Sequence, residues 1–392
     1  MKLARVRLRS AAGGLMITRH NGIPRPRISS IQSMRGVAAT LVLATHAIGI
    51  AADTSTGWFT LRDVFNFDEF GAIGVDLFFI ISGFVMAYAV ADRSGVGPAA
   101  GFLGMRWVRV APPYIIASLI MLPIAIFQNM PPTGLALFNA ISFVPWLDSA
   151  EYSVPVLYLG WTLSFEVSFY LLVAITVSSG LSRKIGWLGV AMVVMVALGQ
   201  LFTGAPFLVR WFTNPILLEF TLGILAYVIW KRGLLIQYKW FWACAGVVSI
   251  AALIPVAVSG DIPMAKMESI MDGSMSLDRV ILWGVPTFFI FAAVLAFDWQ
   301  RAGRFSRLCA SLGDASYSVY LIHVPALACV TFLLRRLPYN VPADVIFLAC
   351  MVVGLASGFL FFRLLERPLT AFLRGRAAKL AVRISAVLRS AD

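Results

Sequence analysis

The sequence predicts an all-α fold, a polytopic integral membrane helical bundle, and three observations support this. Hydrophobic residues make up 60% of the 392 residues and charged residues only 13%. The mean hydropathy is +0.85, whereas soluble domains are about 45–50% apolar and about 25% charged. Several apolar stretches also approach the roughly 20 residues that an α-helix needs to cross a bilayer. We therefore expect about ten transmembrane helices and no long soluble domain.

Hydropathy divides the chain into ten predicted spans. They cover residues 36–53, 71–90, 110–128, 156–178, 185–203, 211–230, 240–259, 280–298, 313–334 and 343–363. The loops between these spans are short, so any chemistry is expected within the membrane-embedded body.

The distribution of basic residues predicts the orientation of the bundle. Most of the 32 Lys and Arg residues fall in the two termini and in alternate loops, which the positive-inside rule assigns to the cytoplasm. The loops assigned to the outside hold only Arg62, Arg210, Lys266, Arg279, Arg335 and Arg336. This asymmetry predicts that both termini are inside and that the number of spans is even.

Both ends of the chain are basic and polar. Residues 1–27 contain seven Lys or Arg and no acidic residue, and they lack the apolar core of a signal peptide. We predict a disordered basic cytoplasmic tail over 1–30, a transmembrane domain over 31–370 and a basic cytoplasmic tail over 371–392. The net charge of +13 reflects this topology rather than nucleic-acid binding, because no basic patch is interleaved with aromatic residues.

Polar groups inside the predicted spans are costly and are therefore functional candidates. Arg35 and His46 are about three helical turns apart, so they share a face and lie roughly 16 Å apart along the axis. His46 would then lie near the middle of the membrane, as a catalytic group or as a donor to a neighbouring helix. Glu166 and Glu219 are also mid-span, and each is either a functional carboxyl group or an interhelical hydrogen-bond partner.

Two short motifs add further candidates. The segment SYSVYLIH places Ser316, Tyr320 and His323 on one helical face, which would face the bundle for chemistry or for packing alone. The segment RWVR places Arg106 and Arg109 on one face. These two arginines are either an anchor at the cytoplasmic surface or a clamp for phosphate oxygens.

The second predicted span combines small residues with an acid. Gly71, Gly74 and Gly83 predict close approach of neighbouring helices. Asp76 lies about two turns below the outer surface, where it would bond a polar acceptor substrate or stabilise a contact between helices.

Taken together, these motifs resemble the acyltransferase family 3 membrane proteins, and among them the exopolysaccharide-production acetyltransferases. The resemblance covers most of the chain and rests on six ordered matches: SIQSMRGVAATLVLATH, FGAIGVDLFFIISGFVM, RWVRVAPPY, LGWTLSFEVSFYLL, LGDASYSVYLIHVP and RLLERPL. The first match has a basic residue, ten spacers and a histidine, here Arg35 and His46. The third is similar to the family's Arg-x-x-Arg segment, and the fourth to its Trp-x-Leu-x-x-Glu segment, which contains Glu166.

The resemblance implies ten core helices and transfer of an acyl group, usually acetyl, from cytoplasmic acyl-CoA. The acceptor would be a hydroxyl group of a surface or exported polysaccharide or of its lipid-linked precursor. The protein would lie in the bacterial inner membrane, in contact with lipid, with acyl-CoA (acetyl-CoA above all) as donor substrate and no permanently bound cofactor. No metal is expected, because the four cysteines and three histidines do not show metal-ligand spacing.

The expected catalytic residues are His46, as general base or nucleophile, and Glu166, which would orient His46 or accept a proton. Arg35, Arg106 and Arg109 are expected to bind the phosphates of acyl-CoA. The residues expected on the oxyanion or acceptor side are Asp76, Trp161, Ser316, Tyr320 and His323.

Two other classes of membrane protein share this composition. A flippase or secondary transporter also uses buried Arg, His and Glu, but the sequence shows no internal repeat of the kind common in transporters. A polymerase of lipid-linked glycans would need a large outer loop, which the predicted spans do not leave. The sequence therefore favours the acyltransferase.

Overall fold

A computed structural model describes residues 28–376, except for residues 56, 66, 68, 145–146, 149–150, 203, 259–261 and 298–303. Most of the two predicted basic tails, at 1–30 and 371–392, therefore lies outside the described residues. Among the described residues, the first helix begins at Ser29 and the last helical segment ends at Arg376. The predicted boundaries at 30 and 370 thus fall inside helices, because a helix can extend beyond the apolar segment that hydropathy detects.

The described residues form sixteen α-helices. In chain order these are α1 (Ser29–Thr54), α2 (Thr60–Asp63), α3 (Ile73–Val90), α4 (Val96–Phe127), α5 (Gly134–Ser142), α6 (Gly160–Ser178), α7 (Gly186–Leu201), α8 (Phe207–Phe212), α9 (Leu217–Lys231), α10 (Leu234–Gln237), α11 (Lys239–Ala257), α12 (Met267–Met271), α13 (Ser276–Arg279), α14 (Val285–Ala296), α15 (Arg304–Leu334) and α16 (Ala343–Phe361). Short 3₁₀-helices occupy Phe70–Ala72, Leu181–Lys184 and Pro263–Ala265, and π-helical turns occupy Val280–Gly284 and Phe362–Glu366. One two-residue ladder pairs β1 (Leu147–Asp148) antiparallel with β2 (Glu151–Tyr152).

Nine helical segments of the described chain are long and apolar enough to cross a membrane. They coincide with nine of the ten predicted spans, which confirms the all-α, polytopic fold class. The remaining span, predicted at 185–203, is α7, an apolar helix of 16 residues. Its length of about 24 Å is less than the roughly 30 Å of a hydrocarbon core.

Two spans depart from regular α-helix inside the bundle, one at a break and one at a π-helical turn. The span predicted at 211–230 breaks at Asn214 and Pro215, and Asn214 Oδ1 accepts a hydrogen bond from the Ile216 amide at the start of α9, 3.0 Å away. The Nδ2 atom of the same Asn214 donates to the Ile270 carbonyl, 2.7 Å away, which ties the break to α12. In the eighth span, a π-helical turn joins α13 to α14 without a break in the helix.

Helix α3 lies at the centre of the bundle, between α1 and α9. A side chain at Gly74 would collide with the carbonyl of Ala38 on α1, and one at Gly83 would collide with the carbonyl of Phe220 on α9. Small residues are therefore required on both sides of α3, as the sequence predicted. Helix α1 also packs extensively against α15 and α16, which brings residues from both ends of the chain to one site.

Candidate active site

A cavity of ≈140 Å³ lies where α1, α3, α4, α6 and α15 meet. Its polar lining comprises Gln32, Arg35, Ser82, Tyr88, Arg106, Arg109, Thr162, Glu166, Tyr170, Tyr317 and Tyr320. Apolar side chains of α3, among them Phe78 and Phe79, form much of the remaining wall. The cavity therefore combines guanidinium groups with hydroxyl groups inside an otherwise apolar bundle.

Three arginines predicted from two separate motifs line this one cavity. The long N-terminal part of α4 carries Arg106 and Arg109, and α1 contributes Arg35, whose charge interacts with that of Arg109. The Arg106 guanidinium lies 5.6 Å from the ring centroid of Phe102. Its Nε atom is buried and has no hydrogen-bond partner among the described residues. Because an unpaired buried donor is costly, this end of the cavity is suited to an anionic ligand.

Glu166 faces the same cavity from α6. Its Oε1 atom accepts hydrogen bonds from Tyr170 Oη at 2.5 Å and from Ser82 Oγ at 3.0 Å. Within the described part of the chain, Glu166 and His46 share no hydrogen bond. The expectation that Glu166 orients His46 directly therefore finds no support in this geometry, and the carboxylate instead lies near the charges of Arg35 and Arg106.

His46 contacts a tyrosine and a second histidine. The Tyr158 hydroxyl lies 3.1 Å from His46 Nδ1 and 3.0 Å from Nε2, so it faces the ring edge between the two nitrogens. The imidazole of His323 stacks on His46 with ring centroids 5.1 Å apart and planes inclined by 25°. The structure thus brings together α1, α15 and the segment before α6 around one partly exposed imidazole.

The tautomer of His323 follows from its surroundings. Its Nδ1 atom lies 2.9 Å from the Val319 carbonyl oxygen, and because a carbonyl only accepts, Nδ1 must carry the hydrogen. In the neutral ring, Nε2 then carries no hydrogen, and its lone pair can accept a hydrogen bond. This atom is buried, with no partner among the described residues, so His323 offers an unused acceptor beside His46.

Tyr320 connects the cavity with the two histidines. It lines the cavity, and its ring centroid is 6.1 Å from that of His323. Its hydroxyl oxygen lies 2.7 Å from Thr162 Oγ1, and its ring packs edge-on against Phe78 at 5.8 Å. His46 itself does not line the cavity. The cavity therefore ends beside the histidine pair, and Tyr320 and Phe78 lie at the boundary.

Asp76 is not open to a substrate. Both carboxylate oxygens pair with Arg279, at 3.0 Å from Nε and 2.7 Å from Nη2. Arg279 also donates to the carbonyls of Met264 and Ala72. The sequence prediction placed Arg279 in an outer loop; this was wrong, since Arg279 is only 1% exposed and packs inside the bundle. The arrangement favours the alternative in which Asp76 stabilises a contact between helices.

Glu219 lies beside this ion pair. It is fully buried, and neither carboxyl oxygen has a hydrogen-bond partner in the described residues. A side chain at Gly284 would lie 3.2 Å from Glu219 Oε1, so α9 and the π-helical turn approach closely there. Glu219 does not line the cavity.

Two further candidates also lie away from the cavity. Ser316 is buried and donates to the Gly313 carbonyl of its own helix at 2.8 Å. Trp161 packs edge-on against Phe165, with ring centroids 6.3 Å apart. Of the predicted stripe on α15, only Tyr320 and His323 meet at the candidate site.

Several residues of the site were not singled out from the sequence. Tyr158 lies in the segment before α6, and Ser82 is one polar residue in the apolar run of α3. Glu366 belongs to the motif RLLERPL, which carried no assigned role. It accepts a hydrogen bond from Ser318 Oγ at 2.5 Å and lies close to Arg35 and Arg109. Glu366 and Ser82 thus lie in quoted motifs, RLLERPL and FGAIGVDLFFIISGFVM, whereas Tyr158 had no signal in the sequence. Among the described residues, no group of three or more His, Cys, Asp or Glu is arranged to hold a metal ion.

Comparison with known proteins gives a family and two relatives. A family model described as an acyltransferase domain matches residues 28–363. The exopolysaccharide production protein ExoZ of Rhizobium meliloti (strain 1021) is 29% identical over 325 residues, covering 79% of this chain and 95% of the relative. The acyltransferase MdmB of Streptomyces mycarofaciens is 27% identical over 387 residues, covering 88% of this chain and 92% of the relative. No solved structure matches.

Proposed function

The chain belongs to the membrane acyltransferase family whose model matches it, and on that premise we propose an O-acyltransferase that uses acyl-CoA. The acyl group, expected to be acetyl, moves to a hydroxyl group of a surface or exported polysaccharide or of its lipid-linked precursor. The name of the Rhizobium relative, an exopolysaccharide production protein, supports this class of acceptor. The multi-pass fold and the basic termini support a bacterial inner membrane location. In this proposal α7 is a tenth, shorter crossing, so that both termini lie in the cytoplasm.

One observation carries the proposal: a single cavity reaches from three arginines to the tyrosine beside the histidine pair. Along α3 the lining runs from Val75 to Tyr88, which corresponds to about 20 Å of helix. Such a space suits a ligand that is anionic at one end and thin and uncharged along its length. Acyl-CoA has this form, with phosphates at one end and the pantetheine arm leading to the thioester.

The donor is therefore oriented with its phosphates at the arginines. Arg106 and Arg109 on α4, with Arg35 on α1, supply guanidinium groups that pair well with phosphate oxygens. The pantetheine arm runs along α3 toward Tyr320, so the thioester arrives next to the histidine pair. In the proposed orientation the arginine end faces the cytoplasm, where acyl-CoA is available.

His46 then acts as general base for the acceptor. It takes the proton of the sugar hydroxyl while that oxygen attacks the thioester carbonyl carbon, and the carbon–sulfur bond breaks as the tetrahedral intermediate collapses. The CoA thiolate leaves and is protonated in turn, so the products are an ester and the free thiol. A neutral imidazole suits proton transfer near pH 7. Tyr158 orients the ring of His46, and Tyr320 is placed to donate to the developing oxyanion.

The test is transfer of label from donor to glycan. Membranes containing equal amounts of wild type or of the His46→Ala variant are incubated with acetyl-CoA labelled in the acetyl group and with the host's extracted surface glycan. We expect labelled glycan from the wild type and a loss of about 10²–10⁴-fold in the variant, the usual contribution of a general base. Parallel reactions with labelled succinyl-CoA identify the acyl group. Equal transfer by wild type and variant would contradict the role of His46, and no transfer from either donor would contradict the use of acyl-CoA.

A further inference from the structure

Helix continues beyond the last predicted span and returns to the arginine end of the cavity. After α16, the π-helical turn Phe362–Glu366 leads into further helix up to Arg376. This extension carries Glu366 and Arg374 toward α4 and α1. The predicted C-terminal tail from 371 onward therefore begins within an ordered part of the bundle.

Arg374 resembles Arg106 in its lack of a partner. Its Nε atom is buried and has no hydrogen-bond partner in the part of the chain that the structure describes. Its charge is close enough to interact with those of Arg109 and Glu366 and with that of Arg106. Arg374 is nevertheless not part of the cavity lining, so it lies beside the arginine end rather than within the cavity.

The charges at this end do not balance. Among the described residues, four guanidinium groups, from Arg35, Arg106, Arg109 and Arg374, interact electrostatically here with two carboxyl groups, from Glu166 and Glu366. Glu366 is also held by Ser318, and Glu166 by Tyr170 and Ser82. In the described residues, two buried Nε donors have no partner: that of Arg106, at the cavity, and that of Arg374, outside it. They are available to a ligand that carries more than one anionic group.

We propose that Arg374 binds the 3′-phosphate of coenzyme A, as a subsite separate from the one that holds the diphosphate. This inference rests on the proposed use of acyl-CoA. The diphosphate is joined to the pantetheine arm, so it must lie at the cavity, where Arg35, Arg106 and Arg109 are. The 3′-phosphate is carried by the ribose on the far side of the diphosphate, and it therefore lies outside the cavity, where Arg374 is. Arg374 thereby distinguishes coenzyme A from ligands that lack the 3′-phosphate.

The test compares two probes on purified full-length protein by calorimetric titration, which needs no acceptor. Wild type is expected to bind coenzyme A about tenfold or more tightly than 3′-dephospho-coenzyme A, the usual effect of a hydrogen bond between charged groups. In Arg374→Gln the two dissociation constants become equal. Arg376→Gln is the matched control, since Arg376 lies two residues further on, is exposed and stacks on Phe372. It should keep the wild-type ratio.

The ratio of the two constants is measured on one protein sample, so partial loss of folded variant does not alter it. Equal binding of both probes by the wild type would overturn this inference alone, as would a wild-type ratio in Arg374→Gln. Failure of the wild type to bind either probe would overturn the proposed donor, and the subsite with it.

Discussion

His46 and His323 stack face to face, with ring centroids 5.1 Å apart, although they lie on helices from opposite ends of the chain. The Val319 carbonyl fixes the hydrogen of His323 on Nδ1, and Tyr158 faces the edge of His46. The His46 imidazole thus contacts one ring on its face and one hydroxyl group at its edge. This arrangement gives separate predictions for the stack and for the hydroxyl.

The stack is tested by replacing His323. His323→Ala removes the ring that supports His46, so we expect kcat for acyl transfer to fall about tenfold or more, within the range seen when a catalytic base is misplaced. His323→Phe restores a flat ring and should recover most of the lost activity. Label transfer at equal protein level measures both variants. If Phe is as damaging as Ala, the Nε2 atom of His323 has a chemical role beyond positioning.

The hydroxyl is tested by Tyr158→Phe, which leaves the ring in place. The loss of one hydrogen bond to His46 is expected to cost about 0.5–1.5 kcal/mol, or roughly a twofold to twelvefold loss in kcat. The KM for acyl-CoA should not change, because Tyr158 lies outside the cavity lining. Tyr339→Phe, at a position that is 65% exposed, is the matched control and should behave as wild type. An unchanged kcat in Tyr158→Phe would remove this tyrosine from the mechanism.

Glu166 is predicted to affect binding and turnover in opposite directions. Glu166→Gln removes a negative charge near Arg35 and Arg106, so coenzyme A should bind several-fold more tightly, with an effect that weakens at high salt. The same change removes a proton acceptor of the cavity, so kcat should fall. Titration of coenzyme A and label transfer measure the two effects. Glu268→Gln, at an exposed site, should change neither; weaker binding in Glu166→Gln would contradict the placement of the phosphates.

Asp76 is predicted to act on stability rather than directly on chemistry. Asp76→Asn removes the carboxylate that pairs directly with the buried Arg279 guanidinium, and breaking such a pair costs about 3–5 kcal/mol. Thermal unfolding in detergent should show a large loss. Asp53→Asn, at an exposed position, should cost less than about 0.5 kcal/mol. Wild-type stability in Asp76→Asn, combined with loss of transfer, would instead place Asp76 at the acceptor.

Local patterns were sufficient to predict the nine long apolar helices and to single out the arginines that line the cavity. The spans follow from runs of apolar residues, and Arg35, Arg106 and Arg109 follow from spacing along single helices. The pair of Asp76 and Arg279 was not predicted, because its members are 203 positions apart and a charged residue near the end of a span is naturally assigned to a loop. Likewise, Tyr158 meets His46 across 112 positions, a contact that only packing creates.

The separation of Glu166 from His46 has a similar cause. Both residues are mid-span, and depth alone allowed them to meet. The face of α6 that carries Glu166 points instead toward Ser82 on α3 and toward the arginines. In the first turn of α6, Thr162 forms a hydrogen bond with Tyr320. Depth in the membrane can be read from a sequence, but the rotation of each helix about its axis depends on its neighbours.

In the proposed reaction the acyl group passes from a donor at the arginine end to an acceptor at the histidine end. Sealed membrane vesicles of known orientation test it most directly, with labelled acetyl-CoA added only outside and acceptor glycan trapped inside. In inside-out vesicles, where the cytoplasmic face is outermost, we predict labelled glycan in the lumen. Right-side-out vesicles with donor and acceptor both outside should give none. Label appearing only when donor and acceptor share one side of the membrane would contradict transfer from the arginine end to the histidine end.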